Sequence, residues 1–395
     1  MRAHWSGGSM EFRSVGFALL IASLTVSCGG GGGGGGDDGG NSSTNTTTTM
    51  VELGRKLFFD TNLSSGSNQA CASCHDPDNG FADPRVSVTA PVSEGSVGGT
   101  FGDRNAPTAA YASFAPSFGL VADADQTPET DSKYQGGQFL DGRAVDLIEQ
   151  AKGPFLNPLE MNNSSEAEVV AMVQNADYAS DFIAVFGAGA FNDTSVAYHN
   201  IATAIAAFEA SSEVNQFSSK FDAYLAGSYT LTASEQRGFD LFVDAEATKC
   251  ANCHTVGDTP ETSLFTNFRY YNIGTPMNLN NPAYLADNSF VDDGLGASSA
   301  IAESDRNGER GKFKVPTLRN VELTAPYMHN GVYATLEETV LHYDIQVANL
   351  FITPEVNEAN IAAELNAGTF VGLGLSDQDR ADLVNFMKTL TDGYF

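Results

Sequence analysis

Cysteine, tryptophan and basic residues are all scarce in this sequence. Of 395 residues only 20 are Lys or Arg, against 49 Asp and Glu, for a formal net charge of -29. So acidic a chain is repelled by a phosphate backbone, which excludes nucleic acid as a partner and leaves a basic protein or plain solvent facing the acidic surface. Five cysteines are too few for a disulfide scaffold at this length, so the thiols point to chemical uses. The most apolar stretch, residues 15–26, is too short to span a bilayer as a helix. No sustained period-two alternation occurs, which excludes a body of half-buried sheets. A hydrophobic share of 42% still suffices for packed cores, and the length for two or three domains.

The short apolar stretch has another use. Arg13 precedes it, Phe17, Leu19, Leu20, Ile21 and Leu24 fill it, and Ser27 and Cys28 end it, the pattern of an export signal starting at Met1 or Met10. Small residues before Cys28, then the glycines of residues 29–36, match a bacterial lipoprotein site whose cysteine is acylated, although Thr25 stands where such sites usually carry Leu. The alternative is ordinary cleavage nearby and a soluble periplasmic protein. Residues 1–28 are thus expected to be an export signal of lipoprotein type. Residues 29–50, rich in Gly, Asp, Asn, Ser and Thr, are expected to be a flexible tether. The expected location is the periplasm or cell envelope, with the membrane touched only through a lipid on Cys28.

Against these shortages stand two copies of one pattern, Cys71-Ala72-Ser73-Cys74-His75 and Cys250-Ala251-Asn252-Cys253-His254. On one helical turn the two thiols of C-x-x-C-H reach the two vinyl groups of a haem, and the next imidazole faces the iron. A four-cysteine zinc ribbon would set its pairs about 15 to 20 residues apart, far closer than these. Short disulfides would leave the repeated histidine unexplained. The reading is two covalent c-type haems.

Helices are signalled by Leu53, Leu57 and Phe58, by Val169, Val170 and Val173 after Ser165 and Glu168, by Ile201, Ile205 and Phe208, and by Leu383, Val384, Met387 and Leu390 after Ser376. Thr232 with Glu235, and Thr335 with Glu338, form two further capping boxes. The fold class expected is mainly α, with two cytochrome c-like haem domains over residues 51–228 and 229–395. Residues 275–311, rich in Asn, Asp, Gly and Ser, are expected to be irregular.

The text around the haem motifs resembles the bacterial di-haem cytochrome c peroxidase and MauG family. The blocks are Leu53-Gly54-Arg55-Lys56-Leu57-Phe58-Phe59-Asp60, Arg104-Asn105-Ala106-Pro107-Thr108, Asp141-Gly142-Arg143-Ala144, Asn157-Pro158-Leu159-Glu160-Met161, Lys314-Val315-Pro316-Thr317-Leu318-Arg319-Asn320 and Ala325-Pro326-Tyr327-Met328-His329-Asn330-Gly331. They run in the family's order over roughly residues 51–392. The resemblance implies that the haem on Cys71, Cys74 and His75 is peroxidatic and that the one on Cys250, Cys253 and His254 transfers electrons. It also implies Glu160 as distal acid and base, Gln150 as distal amide, Arg319 as a cofactor-side residue, and a calcium ion held by Asn105, Thr324 and Pro326.

Three departures from the family's pattern carry consequences. Typical peroxidases have a histidine before the Arg-Asn-x-Pro-Thr block that caps the resting iron, and residues 86–102 contain none, which implies a five-coordinate first haem at rest. The far ligand of the second haem is commonly methionine, but that place holds Tyr343, as in MauG-type members; a packed core tyrosine is the alternative, and His342 and Met328 are lesser candidates. The tryptophan common before Asp-Gly-Arg is Leu140 here, and the single tryptophan, Trp5, lies in the leader. The path between haems must then use another aromatic, Phe139 as a packing bridge or a tyrosine, or direct tunnelling.

The functional expectation is a peroxidase that reduces hydrogen peroxide with electrons from a small redox protein such as a c-type cytochrome. A MauG-like enzyme oxidising side chains of a protein substrate, or a di-haem electron carrier without peroxide chemistry, are the alternatives. Family peroxidases are often dimers, so a homodimer is also expected.

Overall fold

Two helix pairs, each closed on a glycine, set out this molecule. The computed structural model describes residues 48–121, 132–345, 354–356 and 373–395. The expected leader, Cys28 and most of the expected tether lie outside the described residues. The first half holds α1 (Met50–Phe59), α2 (Cys71–Cys74), α3 (Leu147–Leu156), α4 (Glu166–Gln174), α5 (Ala179–Phe186) and α6 (Thr194–Glu209). The second holds α7 (Lys220–Leu225), α8 (Ala233–Phe242), α9 (Cys250–Cys253), α10 (Pro282–Ala286), α11 (Leu336–Ile345) and α12 (Asp377–Lys388). Strands are two residues long: β1 (Gly119–Leu120) pairs antiparallel with β2 (Tyr134–Gln135), and β3 (Tyr270–Tyr271) with β4 (Phe313–Lys314). The body is mainly α, as the periodicity implies. Among the described residues no helix is long and apolar enough to cross a membrane.

Helix α1 begins on a capping box between Thr49 and Glu52, and buries Leu53, Leu57 and Phe58 on one face. That face meets α6 so closely that a Cβ added at Gly54 would lie 1.8 Å from Ala204 O. The second half repeats the device. Helix α8 starts on the Thr232 and Glu235 capping box, and a Cβ at Gly238 would lie 1.9 Å from Asp382 O on α12. Both helices read Gly-x-x-Leu-Phe, at Gly54, Leu57 and Phe58 and at Gly238, Leu241 and Phe242. The glycines matter for close approach of two backbones, because any side chain would force the helices apart.

Two apolar cores follow. Phe58, Val169, Val173, Ile201, Ile205 and Phe208 lie in the first. Phe221, Phe242, Phe265, Leu383, Val384 and Phe386 lie in the second, so α7, which precedes residue 229, packs with the C-terminal helices. Residues 275–311 are irregular apart from α10 and short turns, and they stitch the halves together. The Asn281 Nδ2 donates to Asp103 O at 2.7 Å, and the Asn278 Nδ2 donates to the carbonyls of Asn330 and Gly331 at 3.0 and 3.1 Å.

Gly238→Ala is expected to lower stability by about 1–3 kcal/mol through overpacking, read as a lower denaturant midpoint at unchanged slope. Gly308→Ala is the control, because a Cβ there meets no atom within 4 Å.

Candidate functional site

Each C-x-x-C-H forms one helical turn whose histidine is held from behind by a carbonyl. The His75 N–H donates to Cys71 O and the His254 N–H to Cys250 O, both at 2.9 Å. His75 Nδ1 lies 3.2 Å from Phe81 O, and His254 Nδ1 lies 2.8 Å from Phe265 O. A carbonyl only accepts, so Nδ1 carries the proton and Nε2 keeps its lone pair for iron. Both accepting residues have left-handed backbone, with φ 59 at Phe81 and φ 54 at Phe265. Burial pushes the His254 imidazole down to about 4, and that of His75 down as well, so both rings are neutral at pH 7 as iron ligands must be.

The donor set fits haem better than zinc or a disulfide. All four motif cysteines are free thiols. Among the described residues no three His, Cys, Asp or Glu side chains converge as a metal cluster, as a zinc ribbon would require. Burial holds the Cys74 thiol up at about 11. Behind α9 lies an apolar cavity whose wall includes Phe242, Val315, Leu318, Val340, Leu383 and Met387 beside Cys250, Cys253 and His254. Such a lining suits a flat hydrophobic macrocycle attached at one edge.

Tyr343 and Met328 reach the same cavity. His342 does not, because both its ring nitrogens are engaged: Nδ1 lies 2.9 Å from the Tyr333 hydroxyl and Nε2 lies 2.9 Å from Ile273 O. Burial first, and then the Cys253 and Cys250 thiols, push the Tyr343 phenol far above its ordinary range. The buried phenol is therefore neutral unless a cation joins it in the cavity. Leu140 lines this cavity too, and its carbonyl accepts from the Lys314 N–H at 2.9 Å. Phe139 turns the other way, into the Glu160 cleft, and does not line the second cavity.

Glu160 opens on a cleft of about 490 Å³, with Phe139, Arg143, Glu149 and Asn157 among its walls. Burial pushes the Glu160 carboxyl upward, and Arg143 and an Asn157 hydrogen bond pull it back. Its charge in turn raises the Cys71 and Cys74 thiols, which sets it within electrostatic reach of the first haem attachment. Gln150 is half-buried on α3, about 100° around from Glu149, and does not line this cleft.

Asn105, Thr324 and Pro326 share one cavity wall. Arg319 requires a correction: it does not line the second haem cavity and is held as a structural residue. It is 1% exposed, its guanidinium forks onto both Asp222 oxygens at 3.0 and 2.9 Å, and Nε and NH2 donate to Ser263 O and Pro260 O. Its charged face stacks on Phe217 and Tyr111. With four of its five N–H donors committed in this way, Arg319 ties α7 to the loop after α9.

Sequence reasoning also missed Glu209, on the last turn of α6. It is 5% exposed, its Oε2 has no hydrogen-bond partner, and its charge acts on Cys71. Its signal was readable: Glu209 continues the i, i+4 stripe of Ile201 and Ile205, where a charge is out of place.

Two c-type haem sites in a helical body, one with a carboxylate cleft beside it, define a di-haem cytochrome c with catalytic equipment. Residues 48–230 match the family described as di-haem cytochrome c peroxidase. The chain is 38% identical over 356 residues to the methylamine utilization protein MauG of Paracoccus denitrificans, covering 87% of this chain and 88% of that protein. It is 33% identical over 294 residues to cytochrome c551 peroxidase of Nitrosomonas europaea, covering 74% and 71%. Its fold matches the crystal structure of the diheme peroxidase BthA from Burkholderia thailandensis, with a TM-score of 0.79 at 33% identity over 87% of this chain and 86% of that one. The chain belongs to the di-haem cytochrome c peroxidase and MauG family. It is accordingly an oxidoreductase that carries two haem c groups.

Glu209 generates a pH prediction. Burial pushes its carboxyl up to about 8 from 4.5. Its folded-state pKa is raised, so the folded state binds the extra proton. Stability is therefore full below the unfolded pKa and lost as pH rises from 4.5 towards 8. Glu209→Gln should match wild type in thermal midpoint near pH 4 and exceed it near pH 8, as a melting series across pH would check.

Proposed function

We propose that this enzyme reduces hydrogen peroxide at the haem site of Cys71, Cys74 and His75. Electrons then arrive through the site of Cys250, Cys253 and His254 from a small redox protein such as a c-type cytochrome. The observation that carries this reading is Glu160, a carboxylate raised by burial, at a solvent-open cleft and within electrostatic reach of Cys71 and Cys74. When bound, haem supplies an iron that coordinates peroxide and takes up its oxidising equivalents. The chain's own groups handle the protons. Glu160 takes a proton from the near oxygen of peroxide and returns it to the far oxygen, so that water leaves. The Asn157 side chain, hydrogen-bonded to Glu160, holds the carboxylate in place. The His75 Nδ1–H, held on Phe81 O, would keep the imidazole plane fixed with Nε2 free to bind iron.

Tyr343 is proposed as the far ligand of the second haem, where a hard phenolate favours ferric over ferrous iron. Calcium is proposed at Asn105, Thr324 and Pro326. The Asn105 Nδ2 donates to Pro91 O at 2.9 Å, which leaves its Oδ1 to join backbone carbonyls around a hard cation. The protein is further proposed to work in the periplasm or cell envelope, anchored by a lipid on Cys28, and to form a homodimer.

A second reading, MauG-like oxidation of side chains on a protein substrate, is favoured by Tyr343 in the second cavity and by the lack of histidine in residues 86–102. Leu140 weighs against it, because an aliphatic side chain cannot serve as a reversible one-electron relay. Peroxide added to the oxidised protein separates the two. Rapid reaction followed by turnover with reduced cytochrome is expected, and a long-lived oxidised state without turnover would favour protein oxidation instead. Glu160→Gln should slow the peroxide step by about 100-fold or more, and an unchanged rate would refute the proton-transfer role. The resting protein should show one high-spin and one low-spin haem by electron paramagnetic resonance; two low-spin signals would overturn the five-coordinate first site.

A further inference from the structure

Among the residues lining the Glu160 cleft the only cation is Arg143. Its placement is constrained from two sides. The guanidinium carbon lies 3.6 Å from the centre of the Phe139 ring, and NH1 donates to both oxygens of Asp141 at 2.9 Å. Phe139 itself has left-handed backbone, with φ 61. A bulky residue in that region is strained by roughly 1 kcal/mol or more and persists only where its surroundings demand it. Here the strained backbone turns the ring away from the second haem cavity and under the guanidinium.

Behind Arg143 stand two carboxylates, Asp141 and Asp292, and one guanidinium, Arg104, so Arg143 closes the set of four at zero net charge. Asp141 Oδ2 also accepts from the Arg104 NH1 at 2.7 Å, and the Arg104 Nε and NH2 donate to Asp292 at 2.6 and 2.7 Å. Arg143 is the end of this chain of alternating charge, and it is the member that opens on Glu160. The other groups around Glu160 do not replace it. Asp103 opposes ionisation, the Glu149 carboxylate on α3 is paired with Lys152, Asn157 and Ser299 are uncharged, and Cys71 and Cys74 become neutral thioethers on haem attachment.

We propose that Arg143, seated on Phe139, is a positioning residue that supplies the counter-charge for Glu160 and so sets the lowest pH at which this enzyme cleaves peroxide. The proposal rests on Glu160 as the acid and base of that step. The sign follows from charge alone. A nearby cation favours the carboxylate, the form that accepts a proton from peroxide, so removing the cation demands a higher pH for the same fraction of active base. Arg143 keeps 40% of its side chain exposed, so salt should weaken the effect.

The test is the pH dependence of the second-order rate constant for hydrogen peroxide with the oxidised di-haem protein, for wild type, Arg143→Gln, Arg143→Lys, Phe139→Leu and Glu160→Gln. Haem content by absorbance confirms two haems in each. Arg143→Gln should displace the acid limb to higher pH, severalfold slower than wild type at the acidic end, with the alkaline plateau within about twofold. Arg143→Lys should recover most of the limb, because the charge is kept. Phe139→Leu should move it in the same direction as Arg143→Gln but less, and it carries the test if Arg143→Gln fails to fold. High salt should move the wild-type limb the same way. Limbs for Arg143→Gln and Phe139→Leu that superimpose on wild type would overturn the proposal. A Glu160→Gln variant that reacts as fast as wild type would instead remove the proton-transfer reading beneath it.

Discussion

A backbone carbonyl behind each proximal histidine is the contact on which the chemistry of this protein depends. The C-x-x-C-H turn can attach a haem covalently, but it cannot choose which imidazole nitrogen faces the iron. Phe81 O and Phe265 O make that choice by accepting from Nδ1. Each carbonyl is aimed by a left-handed residue, and each sits on a loop anchored to the core of its own half: Phe81 against Phe58, and Phe265 against Phe221 and Phe242. Packing energy spent far from the haem thereby fixes the tautomer at it. The two halves differ in the length of that hydrogen bond, 3.2 against 2.8 Å, and the shorter one lies behind the histidine of the proposed electron-transfer site.

The irregular segment of residues 275–311 has a role that its composition hides. Asp292 takes two hydrogen bonds from Arg104, Asn281 holds the carbonyl of Asp103, and Asn278 holds those of Asn330 and Gly331. The segment is therefore a clasp around the residues that precede Asn105, and its polar side chains are spent on backbone groups of both halves. Through Arg104 and Asp141 the same clasp reaches the cleft of Glu160. A segment expected only to be irregular is part of the electrostatic frame of the proposed catalytic centre.

Much of this was legible before any coordinates. The haem motifs specify their own local geometry, and the capping boxes at Thr232 and Thr335 mark helix starts because a side-chain oxygen must satisfy the first amides. The polar run of residues 275–311 is irregular as its lack of periodicity implies. What sequence could not give was the destination of long side chains. Arg319 sits in a block that belongs to the haem domain, yet its guanidinium is consumed by Asp222, a partner 97 residues away. Phe139 and Leu140 are neighbours, and only the backbone turn at Phe139 decides which of them faces the second haem. The repeat of Gly-x-x-Leu-Phe ahead of each C-x-x-C-H was hidden because the loops between the two motifs differ in length between the halves.

That repeat has an evolutionary consequence. Gly54 and Gly238 are locked by the same backbone contact, so neither copy of the frame can drift at that point without losing its helix pair. The cavity linings carry no such lock. Divergence between the copies is therefore channelled into side chains such as Glu160, Glu209 and Tyr343. The two halves thus hold one helix frame in common while their cavities are free to take up different chemistry.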